Sequence, residues 1–129
     1  MKKIIVRGGR ELNGDVYISG MKNAALPILF ACILNKGKNI LYNVPQVSDI
    51  ALTLDILESM GARVEHRLDG AIVLDTEGIR SQTAPYELVS KMRGSTYLIG
   101  AMLARFGEAR VGMPGGCDFG ERPDRKSVV

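Results

Sequence analysis

Residues 48–75 read SDIALTLDILESMGARVEHRLDGAIVLD, which is a helix pattern followed by a hairpin pattern. In the first half, apolar residues recur at the spacing of one helix face. This pattern predicts a helix that runs to Met60 and is ended by Gly61. Ser48 and Asp49 are both favourable N-cap residues, and we interpret Asp49 as a helix cap.

The second half of this stretch predicts two antiparallel strands, over residues 62–67 and 71–75. They are joined by the Asp69-Gly70 pair, a sequence that favours the tight turn of a hairpin. His66 lies in the first strand, with no sequence neighbour that would give it a chemical role. We therefore interpret His66 as an exposed side chain.

Further elements are predicted on the N-terminal side of this stretch. Strands are expected over residues 3–6, 15–19 and 39–43, which are short and bounded by glycine, asparagine or proline. A helix is expected over residues 23–35. The order from residue 15 to residue 75 is then β-α-β-α-β-β, which places the chain in the α/β (α+β) class.

The predicted helix over residues 23–35 is strongly apolar. Pro27 is tolerated only near the first turn of a helix, so we expect this helix to begin between Asn23 and Leu26. Cys32 lies among apolar residues, and we interpret it as a small core residue.

A later part of the chain repeats the earlier pattern. Residues 21–25 read MKNAA and residues 92–96 read MRGST, and each is followed by an apolar helix, a glycine, a short strand and a proline. The second helix is expected over residues 97–104 and the second strand over residues 111–113. Such periodicity indicates stacked supersecondary units.

Each copy of the repeat carries a cation just before its helix, Lys22 in the first and Arg93 in the second. Unpaired N–H groups and the helix dipole already favour anions at a helix N-terminus, and an adjacent cation strengthens the effect. Two such helix starts that faced one another would hold phosphate or carboxylate groups. The alternative is that both cations are solvated surface residues.

The composition excludes several classes of protein. Hydrophobic residues make up 46% of the 129 residues, enough for a core, and no apolar run is long enough for a membrane span. The net charge of +3 is scattered, Trp is absent and aromatic residues are 5%, so we expect no nucleic-acid partner. With no signal-peptide pattern, two cysteines and one histidine, we expect a cytoplasmic protein without disulfide or metal.

The most unusual stretch is PGGCDFGERP, residues 114–123. Its glycines allow sharp turns and close approach to a ligand. Cys117 lies five residues before Arg122, and a nearby positive charge stabilises a thiolate. The alternative is that Cys117 is an incidental loop cysteine.

Three motifs together resemble the UDP-N-acetylglucosamine enolpyruvyl transferase family. They are SGMKNA at residues 19–24, MRGS at residues 92–95 and PGGCDFGERP at residues 114–123, and the similarity extends from about residue 1 to residue 123. The resemblance implies transfer of the enolpyruvyl group from phosphoenolpyruvate to the 3-hydroxyl of UDP-N-acetylglucosamine. This is the first committed step of peptidoglycan synthesis, and the resemblance implies neither metal nor cofactor.

The resemblance also implies roles for individual residues. Lys22 and Asn23 match the phosphoenolpyruvate-binding pair, and Arg93 matches an arginine that contacts the UDP-sugar. Arg122 matches an arginine that contacts both substrates, and it opens a segment with Pro123 that contacts the uridine nucleotide. Cys117 matches the general acid toward the enolpyruvate methylene carbon, which is also the residue alkylated by fosfomycin.

The family's fold is an inside-out barrel of β-α-β-α-β-β units in two domains, with the active site in the cleft between them. By this resemblance, residues 1–20 belong to the other domain and residues 21–129 form part of the substrate domain, one full unit and part of a second. Residues 124–129 read DRKSVV and depart from the family pattern, which suggests a truncated gene, a frameshifted gene or the end of a sequence assembly. We therefore expect the chain alone to be inactive.

Two other functions remain open at this point. One is a non-catalytic module that binds anions through the same fold. The other is the shikimate-pathway enolpyruvyl transferase, 3-phosphoshikimate 1-carboxyvinyltransferase, which shares the architecture but uses no cysteine in such a loop. The sequence indicates no oligomeric state.

Overall fold

The structure, a computed structural model, describes residues 3–81 and 83–113. The helices are α1 (Lys22–Ala31), α2 (Ser48–Ser59), α3 (Tyr86–Val89) and α4 (Tyr97–Phe106), the strands are β1 (Lys38–Leu41), β2 (Arg63–His66) and β3 (Ile72–Asp75), and two 3-10 helices cover Cys32–Leu34 and Arg93–Thr96. No helix within the described ranges has the length and hydropathy needed for a membrane span.

Strand β3 lies in the centre of a three-stranded antiparallel sheet, between β1 and β2. Leu74 of β3 is opposite Asn39 on one side and Val64 on the other. Ile72 and Leu74 are buried, while the alternate residue Val73 is only half-buried. This alternation is typical of a sheet with one face against a core.

The hairpin predicted between β2 and β3 is confirmed. The N–H group of Arg67 donates to the carbonyl oxygen of Ala71 at 2.9 Å, and the carboxylate of Asp69 accepts from the Ala71 N–H at 3.0 Å. Gly70 has a φ of 81°, a left-handed conformation that glycine adopts without strain. His66 ends β2 and is exposed, as expected.

Helices α1, α2 and α4 supply most of the core. Their fully buried side chains include Leu29, Phe30, Leu57 and Leu98. Cys32, immediately after α1, is 7% exposed and belongs to this core, which confirms its interpretation as a core residue. Burial of these apolar side chains supplies the main driving force for folding.

The predicted starts of two helices were wrong by small shifts. Helix α1 begins at Lys22, so Pro27 lies in its second turn, where it removes the hydrogen bond to the carbonyl of Asn23. Helix α2 contains both Ser48 and Asp49, and its N-cap is Val47, which has no side-chain capping bond. Asp49 is therefore not a helix cap, and its carboxylate has a different partner described below.

The strands predicted over residues 3–6 and 15–19 were wrong. Residues 3–19 form neither helix nor strand, and Ile4, Val16 and Tyr17 are 89%, 84% and 99% exposed. A strand requires a neighbour to bond its backbone, and the described sheet contains only β1, β2 and β3.

The strand predicted over residues 111–113 was also wrong. Only Arg110 forms a bridge, with Thr83, and the carbonyl oxygen of Arg110 accepts from the N–H group of Ala84 at 3.0 Å. Pro85 follows directly and has no N–H group to extend a ladder. The repeat predicted for this part of the chain is therefore only partly formed in the described residues.

Candidate functional site

Helix α1 begins at the first cation-bearing motif. Its N-cap is Met21, in an extended conformation, and Lys22 and Asn23 are its first two residues. The N–H group of Gly20 donates to the carbonyl oxygen of Asn43 at 3.2 Å, which holds the chain just before the helix. The first N–H groups of a helix have no acceptor within it, so they are open to an anion.

The ammonium group of Lys22 forms an ion pair with the carboxylate of Asp49. The distance from Nζ to Oδ2 is 2.7 Å, and the two side chains are 46% and 36% exposed. The pair therefore lies at the surface, where an approaching solute can reach it. It joins the start of α1 to the first turn of α2.

The second cation-bearing motif also begins a helical segment. Met92 is its N-cap, extended like Met21 and without a side-chain capping bond, and Arg93 is its first residue. Gly94 lies against α1, since a methyl group added there would be 3.3 Å from Cδ1 of Leu26. The two N-caps thus share an extended backbone conformation, and Gly94 lies near the side chain of Leu26 in the second turn of α1.

Helix α2 contacts both motifs with the same face. Asp49 binds Lys22, and Thr53, one turn further along, lies with its hydroxyl 3.6 Å from the sulfur of Met92. Residues four apart on a helix share a face and are separated by about 6 Å along the axis. Because Arg93 follows Met92 directly, α2 brings the starts of both cation-bearing segments to one region.

Two open cavities among the described residues include neither Lys22 nor Arg93 in their lining. One, about 360 Å³, lies between the β1–α2 connection and the hairpin, and its lining is mainly apolar but also includes His66. The smaller, about 220 Å³, lies beside α1 between Met21 and Pro45. Lys22 and Arg93 are both exposed, so the two cations lie at the surface of the described residues.

Three of the predicted site residues, Cys117, Arg122 and Pro123, lie outside the described residues. The other cysteine, Cys32, is buried, and burial raises the pKa of its thiol. A thiol held protonated in this way is a poor nucleophile at neutral pH. The interpretation of Cys32 as a core residue is confirmed, and the reactive role of Cys117 stays a prediction.

The sequence reasoning missed the partners of the two motifs. The sequence predicted Asp49 only as a helix cap, and it predicted no role for Thr53. Asp49 lies 27 positions from Lys22 and Thr53 lies 39 positions from Met92. No spacing rule connects residues that far apart, so the only available signal was the acidic residue near the start of a predicted helix.

Comparison with known proteins gives a consistent result. A model of the EPSP synthase (3-phosphoshikimate 1-carboxyvinyltransferase) family matches residues 6–128. UDP-N-acetylglucosamine 1-carboxyvinyltransferases of Desulfatibacillum aliphaticivorans and of Cellvibrio japonicus (strain Ueda107) are 51% and 48% identical to this chain over 95% of its length. The chain spans 29% of the length of each of these relatives.

Among solved structures, the enolpyruvyl transferase NikO from Streptomyces tendae superposes with a TM-score of 0.68 and 27% sequence identity. That match covers 78% of this chain and 23% of the NikO chain. The sequence match, the shared fold and the order of helices and strands agree with one another. The chain therefore belongs to the EPSP synthase family of enolpyruvyl transferases.

Proposed function

We propose that this chain supplies part of the substrate site of a UDP-N-acetylglucosamine enolpyruvyl transferase. One observation carries the proposal: α2 holds both cation-bearing motifs, through Asp49 and Thr53, in a chain about half identical to enzymes of that name. The proposed reaction moves the enolpyruvyl group of phosphoenolpyruvate to the 3-hydroxyl of UDP-N-acetylglucosamine and releases phosphate. The proposed setting is peptidoglycan synthesis in the cytoplasm.

The residue types suit the two anionic groups of phosphoenolpyruvate. Its phosphate and its carboxylate require fixed cations and hydrogen-bond donors, and we assign Lys22, Asn23 and Arg122 to them. We assign Arg93, Arg122 and Pro123 to the UDP-sugar. Both ligand classes are negatively charged, so a helix start with an added cation is a favourable place to bind them.

We assign Cys117 the role of general acid in this reaction. Its thiol protonates the methylene carbon of phosphoenolpyruvate while the sugar hydroxyl oxygen adds to the neighbouring carbon. The hydroxyl group releases its proton to solvent as its oxygen bonds to carbon. The addition product then loses phosphate, and one of its methyl protons passes to the Cys117 thiolate, which regenerates the thiol and leaves a carbon–carbon double bond in the ether product. The Cys117 thiol is also the proposed site of alkylation by fosfomycin.

We further propose that activity requires more protein than these residues provide. The chain spans less than a third of the length of its relatives, and apolar side chains of residues 3–20, such as Ile18 at 85%, are exposed. In the proposal, residues 1–20 pair with a second domain, and residues 21–129 form part of the substrate domain. The chain alone is then expected to release no phosphate from the two substrates.

The test is a chimera of residues 1–123 joined to the remainder of the Desulfatibacillum aliphaticivorans relative. The chimera is expected to release phosphate from phosphoenolpyruvate only when UDP-N-acetylglucosamine is present. The matched comparison is the 129-residue chain under the same conditions. Turnover by the chain alone at the rate of the chimera would contradict the proposed domain division.

A second candidate function is that of a 3-phosphoshikimate 1-carboxyvinyltransferase, the enzyme for which the matching family is named. Use of shikimate 3-phosphate by the chimera in place of UDP-N-acetylglucosamine would assign that function instead.

The third possible function is a non-catalytic anion-binding module. Calorimetry of the chain alone, compared with turnover by the chimera, distinguishes this module from an enzyme fragment. Micromolar binding of phosphoenolpyruvate or UDP-N-acetylglucosamine without turnover in the chimera would favour the module.

A further inference from the structure

We propose that Asp49 is a positioning residue, which holds the ammonium group of Lys22 in place for the anionic substrate. The inference rests on the proposed function and adds a residue to the proposed site. Its basis is the single short contact of 2.7 Å between Lys22 Nζ and Asp49 Oδ2.

Lys22 needs an external partner because of where it lies. It is the first residue of α1, where the positive end of the helix dipole repels a cation. Its four-carbon side chain is flexible and its ammonium group is strongly hydrated, so it gains by moving away into solvent. The negative charge of Asp49 opposes this movement and keeps the ammonium group at the helix start.

Asp49 is well placed to act as the fixed member of the pair. It lies in the first turn of α2, where the helix dipole stabilises a carboxylate. Its carbonyl oxygen accepts a hydrogen bond of 2.8 Å from the hydroxyl of Thr53, a fully buried residue. The backbone that carries the carboxylate is therefore anchored in the core.

The ion pair with Asp49 leaves part of the ammonium group of Lys22 available to bind a substrate. An ammonium group has three N–H donors, and the contact with Asp49 uses one of them. Counting the described residues, two donors remain for the oxygens of a phosphate or carboxylate. With the side chain of Lys22 46% exposed, those donors are open to a solute.

Stability is not the main consequence of this ion pair. Exposed pairs contribute little to the folding free energy because water and salt screen them. Loss of the Asp49 charge is therefore expected to leave the folded chain intact while it releases Lys22. This difference separates a positioning role from a purely structural one.

The first experiment measures how fast acetic anhydride labels Lys22 in the 129-residue chain, by mass spectrometry. Asp49→Asn is expected to speed the labelling of Lys22 severalfold, and Asp49→Glu is expected to restore much of the slow rate. Asp55→Asn is the matched control, since it removes one exposed carboxylate from the same helix. Equal Lys22 labelling in Asp49→Asn and Asp55→Asn would overturn the proposal.

The second experiment uses the chimera, adds phosphoenolpyruvate and measures the concentration that half-protects Lys22 from labelling. Asp49→Asn is expected to raise this concentration about tenfold, with an unchanged unfolding temperature, and Asp49→Glu to raise it less. An unchanged half-protection concentration would overturn the positioning role. Absence of protection even in the unaltered chimera would count against the proposed function, and the labelling rates would still decide the role of Asp49.

Discussion

The N–H group of Gly20 donates a hydrogen bond of 3.2 Å to the carbonyl oxygen of Asn43, and this contact fixes the chain two residues before Lys22. Asn43 has a φ of 54°, a left-handed conformation that asparagine tolerates better than most residues. The segment that leads into α1 and the loop that follows β1 are therefore held together by their backbones.

Gly20→Ala is expected to displace the start of α1. A methyl group at Gly20 would overlap the carbonyl oxygen of Asn43, which is backbone and cannot turn aside. The expected loss is about 1–3 kcal/mol in the free energy of unfolding, measured by urea denaturation. Gly94→Ala is the comparison, because its methyl group would meet only side-chain atoms, the movable end of Leu26 at 3.3 Å and Met92 at 3.9 Å, and is expected to cost less. A larger loss for Gly94→Ala would contradict this account.

Gly100→Ala is expected to stabilise the chain. Gly100 lies inside α4, and among the described residues a methyl group there would meet nothing within 4 Å beyond its chain neighbours and the nearby helix backbone. Alanine favours the helix over glycine by about 0.5–1 kcal/mol, since the unfolded chain loses less freedom on folding. The midpoint of urea denaturation should rise accordingly. A fall in the midpoint would show that the space beside Gly100 is occupied in solution.

Arg105→Met is expected to destabilise the chain more than a typical surface change. The guanidinium group donates hydrogen bonds to the carbonyl oxygens of Ile33 at 3.0 Å and Ile79 at 3.5 Å, and it lies 5.1 Å from the ring centroid of Phe106. It thereby joins α4 to the end of the first helical segment and to the loop after β3. The expected loss in unfolding free energy is about 1–3 kcal/mol.

The control for Arg105→Met is Arg110→Met. Arg110 pairs with Glu108 at 2.9 Å, but the two side chains are 72% and 49% exposed. Exposed pairs contribute about 0–1 kcal/mol, so the control should lose little stability. Equal losses for the two variants would show that the buried carbonyl contacts of Arg105 do not stabilise the fold.

Cys32 should make stability fall at alkaline pH. Burial raises the pKa of its thiol, so the folded chain keeps the proton at pH values where the unfolded chain has lost it. Stability from this group is fully present below the ordinary thiol pKa of about 8.5 and falls as pH rises above it. In a Cys117→Ser background, Cys32→Ala should flatten the alkaline decline of unfolding free energy. An identical decline in both proteins would contradict the prediction.

The proposed role of Cys117 makes a separate prediction for the chimera. Cys117→Ala is expected to abolish phosphate release and labelling by fosfomycin, because it removes the proton donor and the alkylated sulfur together. Binding of UDP-N-acetylglucosamine, measured by calorimetry, should remain. Cys32→Ala serves as the matched cysteine control and should retain fosfomycin labelling. Normal turnover by Cys117→Ala would contradict the role of Cys117.

Local patterns predicted the centre of the fold well. The helix from Ser48 and the hairpin around Asp69-Gly70 form within one or two residues of their predicted bounds. Both depend on interactions between residues close in the chain: a repeating apolar face in the helix, and a turn dipeptide in the hairpin. The likeness of the motifs at Met21 and Met92 was also visible in the sequence, and both residues are extended N-caps.

The sequence by itself thus determined the elements whose stabilising contacts are local, together with the family to which the chain belongs. The tertiary structure alone decided two further features: residues 15–19 form no strand, and Asp49 pairs with Lys22 instead of capping its helix. The physical reason is the same in both cases. A strand needs a neighbouring backbone to hydrogen-bond with, and a carboxylate needs a cation within reach to form an ion pair. Folding brings such partners together from distant parts of the chain.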